Sequence, residues 1–74
     1  MTIGSETGND LVVPVHGVSR AHARVVREGP GVFVLEDVGS RGGTTVNGHP
    51  AARVLLSHGD EVVLGSWRAI VRLD

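Results

Sequence analysis

Apolar residues in this chain fall in short runs broken by glycine, with no sustained repeat at i, i+3, i+4 and i+7. That pattern predicts strands rather than helices. The runs place strands over residues 11–13, 23–27, 32–36, 44–46, 61–64 and 67–73, with two further short extended pieces flanking Asn47. The stretch Ala23, Arg24, Val25, Val26, Arg27 mixes apolar and charged residues, as an edge-facing strand would. Val32, Phe33, Val34 and Leu35 form an unbroken apolar run, which predicts a strand buried on both faces. Turn chemistry separates these runs. Gly29, Pro30 and Gly31 force a reversal, because proline fixes φ and glycine accepts positive φ. Asn47-Gly48 is the dipeptide that best suits a type I′ hairpin, and Gly65-Ser66 supplies another tight turn. Short strands separated by turn signals at roughly 8–12-residue spacing indicate an all-β sandwich.

Composition narrows the function classes. A chain of 74 residues makes a single domain, spanning 1–74. At that size only about 60% of the unfolded surface is buried, so stability is expected to be marginal. There is no cysteine, which removes a disulfide framework and a thiolate zinc site and suits a reducing cytoplasm. The four histidines stand singly in loops or turns without a paired-ligand spacing, so no metal site and no cofactor is expected. No apolar run approaches the roughly 18 residues of a membrane span. Met1, Thr2, Ile3 and Gly4 carry neither the basic region nor the apolar stretch of a signal peptide. A net charge of −1 offers no basic footprint for nucleic acid. All seven basic residues are arginine, whose planar fork suits phosphate and carboxylate; a base composition favouring arginine codons is the simpler cause of the missing lysine.

Three loop segments carry polar residues that strand patterning does not explain. The first is Gly17, Val18, Ser19, Arg20, Ala21, His22. The second runs from Asp37 through Gly39, Ser40, Arg41, Gly42, Gly43 and Thr44 to Asn47 and Gly48. The third is His58, Gly59, Asp60 and Glu61, closing at Leu64 and Gly65. Ser19 and His22 are conceivable as nucleophile and base, but no third orienting group or oxyanion loop accompanies them, and no catalytic residue is assigned. Gly39 to Gly43 is glycine-rich, yet it lacks the Lys-Ser/Thr ending of a nucleotide-binding loop. Asn47-Gly48 is a hairpin turn first, and Gly59-Asp60 is architectural, with Asp60 accepting from nearby backbone N–H groups.

The order and spacing of these segments resemble the forkhead-associated (FHA) family. Its Ser-x-x-His motif is similar to Ser19 to His22, and its Asp-x-x-Ser-x-x-Gly-Thr-x-Val-Asn-Gly stretch to Asp37 to Gly48. Its Leu-x-x-Gly-Asp-x-(Ile/Val)-x-Leu-Gly ending is similar to Leu56 to Gly65, and Gly4 with Asn9 and Asp10 keeps the opening register. The resemblance covers essentially the whole chain. It implies a sandwich of two antiparallel sheets whose loops at one end bind phosphothreonine in a Ser/Thr kinase or its substrate. Phosphate carries about −1.5 to −2 charge and strong acceptor oxygens, so such loops must supply convergent donors. On this resemblance Ser19 donates its hydroxyl, Arg20 adds charge, and Ser40, Arg41 and Gly42 line the peptide site. His22, Gly4, Asn47, Gly48, Gly59 and Asp60 are then structural.

The chain departs from the family in the phosphate-binding region. Where the family has Gly-Arg in the first loop, this chain has Gly4-Ser5, losing the principal charged contact. One charge-assisted hydrogen bond contributes about 1.5–3 kcal/mol, or about ten- to more than a hundredfold in affinity. Arg41 replaces the family's threonine and Gly42 its asparagine; Arg41 either restores the charge from the opposite loop or points into solvent. The resemblance also implies that the opening strand is absent, leaving the domain N-terminally incomplete with an exposed sheet edge. The alternative function is a degenerate module that binds unphosphorylated partners or associates with itself through strands.

Overall fold

The computed structural model describes residues 1–73 and is a two-layer β-sandwich of nine strands. In chain order they are β1 (Thr2–Gly4), β2 (Leu11–Val12), β3 (Ala23–Gly29), β4 (Val32–Asp37), β5 (Thr44–Val46), β6 (His49–Pro50), β7 (Arg53–Leu55), β8 (Glu61–Leu64) and β9 (Trp67–Ile70). One sheet has the order β2-β1-β3-β4-β7 and the other β6-β5-β8-β9.

Alternation sets the two inner faces. On β8, Val62 and Leu64 are buried while Glu61 and Val63 face outward; on β5, Thr44 and Val46 point in. They meet Ile3, Ala23 and Leu35 from the five-stranded sheet, with Leu56 and Val13 closing the core from the loops. Turn residues take the backbone that the sequence predicts. Asn47 and Gly48 both have positive φ, 53° and 82°, which matches the right-handed twist of the β5–β6 hairpin.

Several expectations change. All pairings are antiparallel except β1 with β2, which is parallel. β1 and β7 were not anticipated, and the last strand ends at Ile70 rather than residue 73. β3 lies in the middle of its sheet, not at an edge. Its charges mark the solvent face instead: Arg24 Nε donates to Glu36 at 2.6 Å, and Arg53 Nε reaches the same carboxylate from β7 at 3.1 Å. β4 is buried on both faces only at its centre, where Val34 and Leu35 sit; Val32 is exposed and Phe33 half-buried.

Candidate functional site

Strand directions bring three loops and one turn to the same end of the sandwich: residues 5–10, 13–22 and 38–43, and the turn at Gly65-Ser66. Together they surround a shallow depression lined by Ser5, His16, Ser19, Arg20, Arg41 and Gly42. The depression is built from backbone contacts that leave little freedom.

The first loop is held against the second. Ser5 N–H donates to the Ser19 carbonyl at 3.0 Å, and Asn9 Nδ2 donates to the carbonyls of Glu6 and Arg20 at 2.9 and 2.8 Å. A Cβ on Gly4 would lie 2.0 Å from the Arg20 carbonyl oxygen, so any side chain there forces the loops apart. Asn9 was read from the sequence only as a register marker. Its bridging role depends on a carbonyl eleven positions away, which no local signal announces.

His22 is fully buried and links the second loop to the third. Its Nδ1 accepts the Ser19 N–H at 3.0 Å, which leaves Nε2 to carry the proton and donate to the Gly43 carbonyl at 2.9 Å. Both ring nitrogens therefore face backbone groups, and neither faces the Ser19 hydroxyl. Ser19 Oγ instead accepts the Arg41 N–H at 3.0 Å, and among the described residues it donates to no partner.

Asp37 shapes the third loop. Its Oδ1 accepts N–H groups of Gly39 and Ser40 at 2.9 and 2.8 Å. Its Oδ2 accepts the hydroxyls of Ser40 and Thr44 at 2.5 and 2.7 Å. Burial pushes this carboxyl up, but the Ser40 hydroxyl and N–H, the Thr44 hydroxyl and the Gly39 N–H outweigh it and hold the pKa at about 2. Ser40 Oγ also accepts the Gly43 N–H at 3.0 Å, so Ser40 braces the loop from within. Gly42 leans on the second loop: a Cβ there would sit 3.3 Å from the Gly17 carbonyl oxygen.

Among the described residues, neither Arg20 nor Arg41 forms an ion pair, whereas Arg24, Arg53 and Arg68 each do. Two exposed guanidinium groups beside a serine with a free hydroxyl proton make a positive, donor-rich mouth.

The other predicted residues lie at the far end of the sandwich. Asn47 Nδ2 donates to Asp60 Oδ1 at 2.9 Å, and its Oδ1 accepts the Glu61 N–H at 2.9 Å. Asp60 Oδ2 accepts the Ser57 N–H at 2.7 Å. Gly59, at φ 91°, and Gly48 belong to this cluster of turns, remote from the depression. One contact escaped sequence reasoning altogether. Gly17 and Gly65 pack backbone to backbone, and a Cβ on Gly65 would lie 2.4 Å from the Gly17 carbonyl carbon. Ser66 N–H and Oγ, at 3.0 and 2.7 Å from the His16 carbonyl, fasten the same junction.

A rigid sandwich that presents convergent donors on loops at one end is the architecture of a recognition module for anionic peptides. Residues 1–65 match the family model of the FHA domain, and the chain belongs to that family. It is 40% identical over 67 residues to the glycogen accumulation regulator GarA of Mycolicibacterium smegmatis, covering 90% of this chain and 42% of GarA. It is 41% identical over 69 residues to an oxoglutarate dehydrogenase inhibitor of Corynebacterium diphtheriae, covering 93% of this chain and 48% of the inhibitor. The chain thus spans less than half the length of these curated relatives. A solved structure from a study of phosphothreonine-dependent FHA domain interactions superposes with a TM-score of 0.93 at 37% identity, over 99% of this chain and 75% of that one.

Proposed function

We propose that this chain is a phosphothreonine-dependent protein–protein interaction module in Ser/Thr kinase signalling, working in the cytoplasm. Its partner is a kinase or kinase substrate that presents a phosphorylated threonine in an extended segment. One observation carries the reading: the Ser19 hydroxyl, which accepts the Arg41 N–H but donates to no partner among the described residues, lies in a depression flanked by Arg20 and Arg41, neither of which is paired with a carboxylate among those residues. Ser19 donates to a phosphate oxygen, and the two guanidinium groups balance its charge. Arg41 stands in for the arginine that Ser5 replaces in the first loop, reaching the phosphate from the other side. Ser40 and Gly42 shape the wall along which the peptide backbone runs, and Gly42 leaves it without a side-chain grip. His22 and Gly4 act by holding the loops in place. Asn47, Gly48, Gly59 and Asp60 stabilise the far end.

The reading is of a binding module: His22 has both nitrogens engaged with backbone groups and none with Ser19, which speaks against a Ser19–His22 nucleophile–base pair. By kinship with GarA and the oxoglutarate dehydrogenase inhibitor, the bound partner is a protein whose activity the parent protein regulates.

The test is calorimetric titration of the chain with matched threonine and phosphothreonine peptide libraries. A preference for the phosphorylated form of at least about tenfold is expected from one retained charge-assisted contact. Equal binding of both forms would overturn the proposal in favour of a scaffold kept for contacts with unphosphorylated proteins.

A further inference from the structure

Two of the four histidines are committed inside the protein. His22 bonds backbone groups through both nitrogens, and His58 Nδ1 accepts the Leu73 N–H at 3.0 Å. His16 differs. Among the described residues its ring has no hydrogen-bond or ion-pair partner, and it lines the depression beside Ser19. Its backbone is firmly placed. The Val18 N–H donates to the Val15 carbonyl at 3.3 Å and closes a turn with His16 and Gly17 at its centre. Gly17 has a φ of 85°, the positive value that the third position of a type II turn requires. Ser66 N–H and Oγ donate to the His16 carbonyl at 3.0 and 2.7 Å. A Cβ on Gly17 would sit 2.9 Å from Gly65 Cα, so this corner is pressed against the β8–β9 turn. An uncommitted imidazole is thus carried on a fixed corner of the mouth.

Charge decides what it is for. The depression is about 890 Å³, in the range of sites that enclose a whole ligand, so a neighbouring side chain of the peptide has room beside the phosphate. The charged groups that line it with His16 are Arg20 from the second loop and Arg41 from the third. The first loop contributes Ser5, and the β8–β9 turn packed behind His16 contributes Gly65 and Ser66, none of them charged. Glu6, next to Ser5, is exposed and does not line the depression. Among the described residues, no carboxylate does. A phosphate brings about −1.5 to −2 charge, which the two arginines balance. His16, which gains or loses its charge between about pH 5 and 8, is a base beyond that balance.

We propose, resting on the phosphothreonine reading of this mouth, that His16 is a second recognition residue, selecting peptides that carry a carboxylate side chain close to the phosphothreonine, with the selection strengthening as pH falls. The imidazolium donates a charge-assisted hydrogen bond to that carboxylate, whereas the neutral ring offers only an ordinary one. For an exposed pair of this kind the gain in affinity is up to about fivefold.

The test uses pairs of phosphothreonine peptides that differ only in glutamate or glutamine at one flanking position, each position in turn, titrated calorimetrically at low salt. Both members of a pair carry the same phosphate, so its own titration near about pH 6 cancels in their ratio. At pH 6 at least one glutamate peptide should bind the parent about two- to fivefold tighter than its glutamine partner, and at pH 8 that ratio should fall below about 1.5. His16→Ala should lose the ratio at pH 6. His16→Lys should restore it and hold it at both pH values, because an ammonium stays charged throughout. Circular dichroism checks the fold of both variants; should His16→Ala fail to fold, the pH profiles of the parent and of His16→Lys carry the test. A parent that prefers phosphorylated peptides but binds glutamate and glutamine forms alike at pH 6 would overturn the role of His16 alone. So would a glutamate preference that is equal at pH 6 and pH 8, or one that survives in His16→Ala, since the arginines would then be reading the acid. A parent indifferent to phosphate would instead sink the phosphothreonine reading, and this selection with it.

Discussion

Replacing Asp37 by asparagine separates the chemistry of the third loop from its shape. The carboxylate accepts four hydrogen bonds, and its pKa falls from 3.8 to about 2. A shift of that size, at about 1.4 kcal/mol per pKa unit, corresponds to about 2 kcal/mol of native-state stabilisation. Because the folded pKa is depressed, this contribution is fully present above the unfolded value near 3.8 and is lost as pH falls through about 2. The substituted amide would keep an oxygen for the Gly39 and Ser40 N–H groups, but it would turn an amino group toward the hydroxyls of Ser40 and Thr44. Asp37→Asn should therefore lower stability at neutral pH by about 2 kcal/mol, shifting the urea midpoint by about 1–2 M for a domain of this size. At pH 2 the native carboxyl of the parent is about half protonated, only about 0.4 kcal/mol of its linked stabilisation remains, and the gap between the two proteins should shrink to less than about 0.5 kcal/mol. Urea melts of both proteins at the two pH values measure this directly. A gap below about 0.5 kcal/mol at neutral pH, or one that persists undiminished at pH 2, would refute the reasoning.

The remaining expectations concern the mouth itself. Ser5→Arg, at a position that lines the depression beside Ser19, should strengthen phosphopeptide binding at least about tenfold by calorimetry; no gain means the site does not hold phosphate there. Arg41→Ala should erase the preference for phosphorylated peptide while changing stability by no more than about 0.5 kcal/mol. Arg41→Lys should restore binding only in part, since a point charge lacks the bidentate fork, and binding by the parent should weaken as salt rises. Gly65→Ala should destabilise the chain by more than Gly48→Ala. Both glycines have positive φ, but only Gly65 has backbone within 2.4 Å of an added Cβ, whereas Gly48 opens to free space. Equal thermal shifts for the two variants would show that the Gly17–Gly65 contact is not tight.

What the sequence determined by itself is what neighbouring residues decide among themselves. Asn47-Gly48 takes positive φ at both residues because few other dipeptides do so cheaply, and the β5–β6 hairpin follows. The apolar run before Gly65 marks residues 61–64 as a strand, although with Val62, Val63 and Leu64 all apolar it is the structure that makes Val62 and Leu64 the inner face. The motif from Ser19 to His22, with the resemblance it carries, marked the loops that meet at one end. The tertiary structure decided everything that depends on a distant partner. β3 reads like an edge because it carries charges, yet its arginine is answered by a glutamate twelve positions on, across the sheet. Thr2–Gly4 is too short to show a period and becomes a strand only by inserting between β2 and β3. That Ser19 Oγ meets the Arg41 N–H, 22 positions away, and that Gly17 touches Gly65, follow from closing the two sheets on a shared core. A backbone preference is a property of one or two residues. A contact between loops exists only once the chain has come together to bring them within reach.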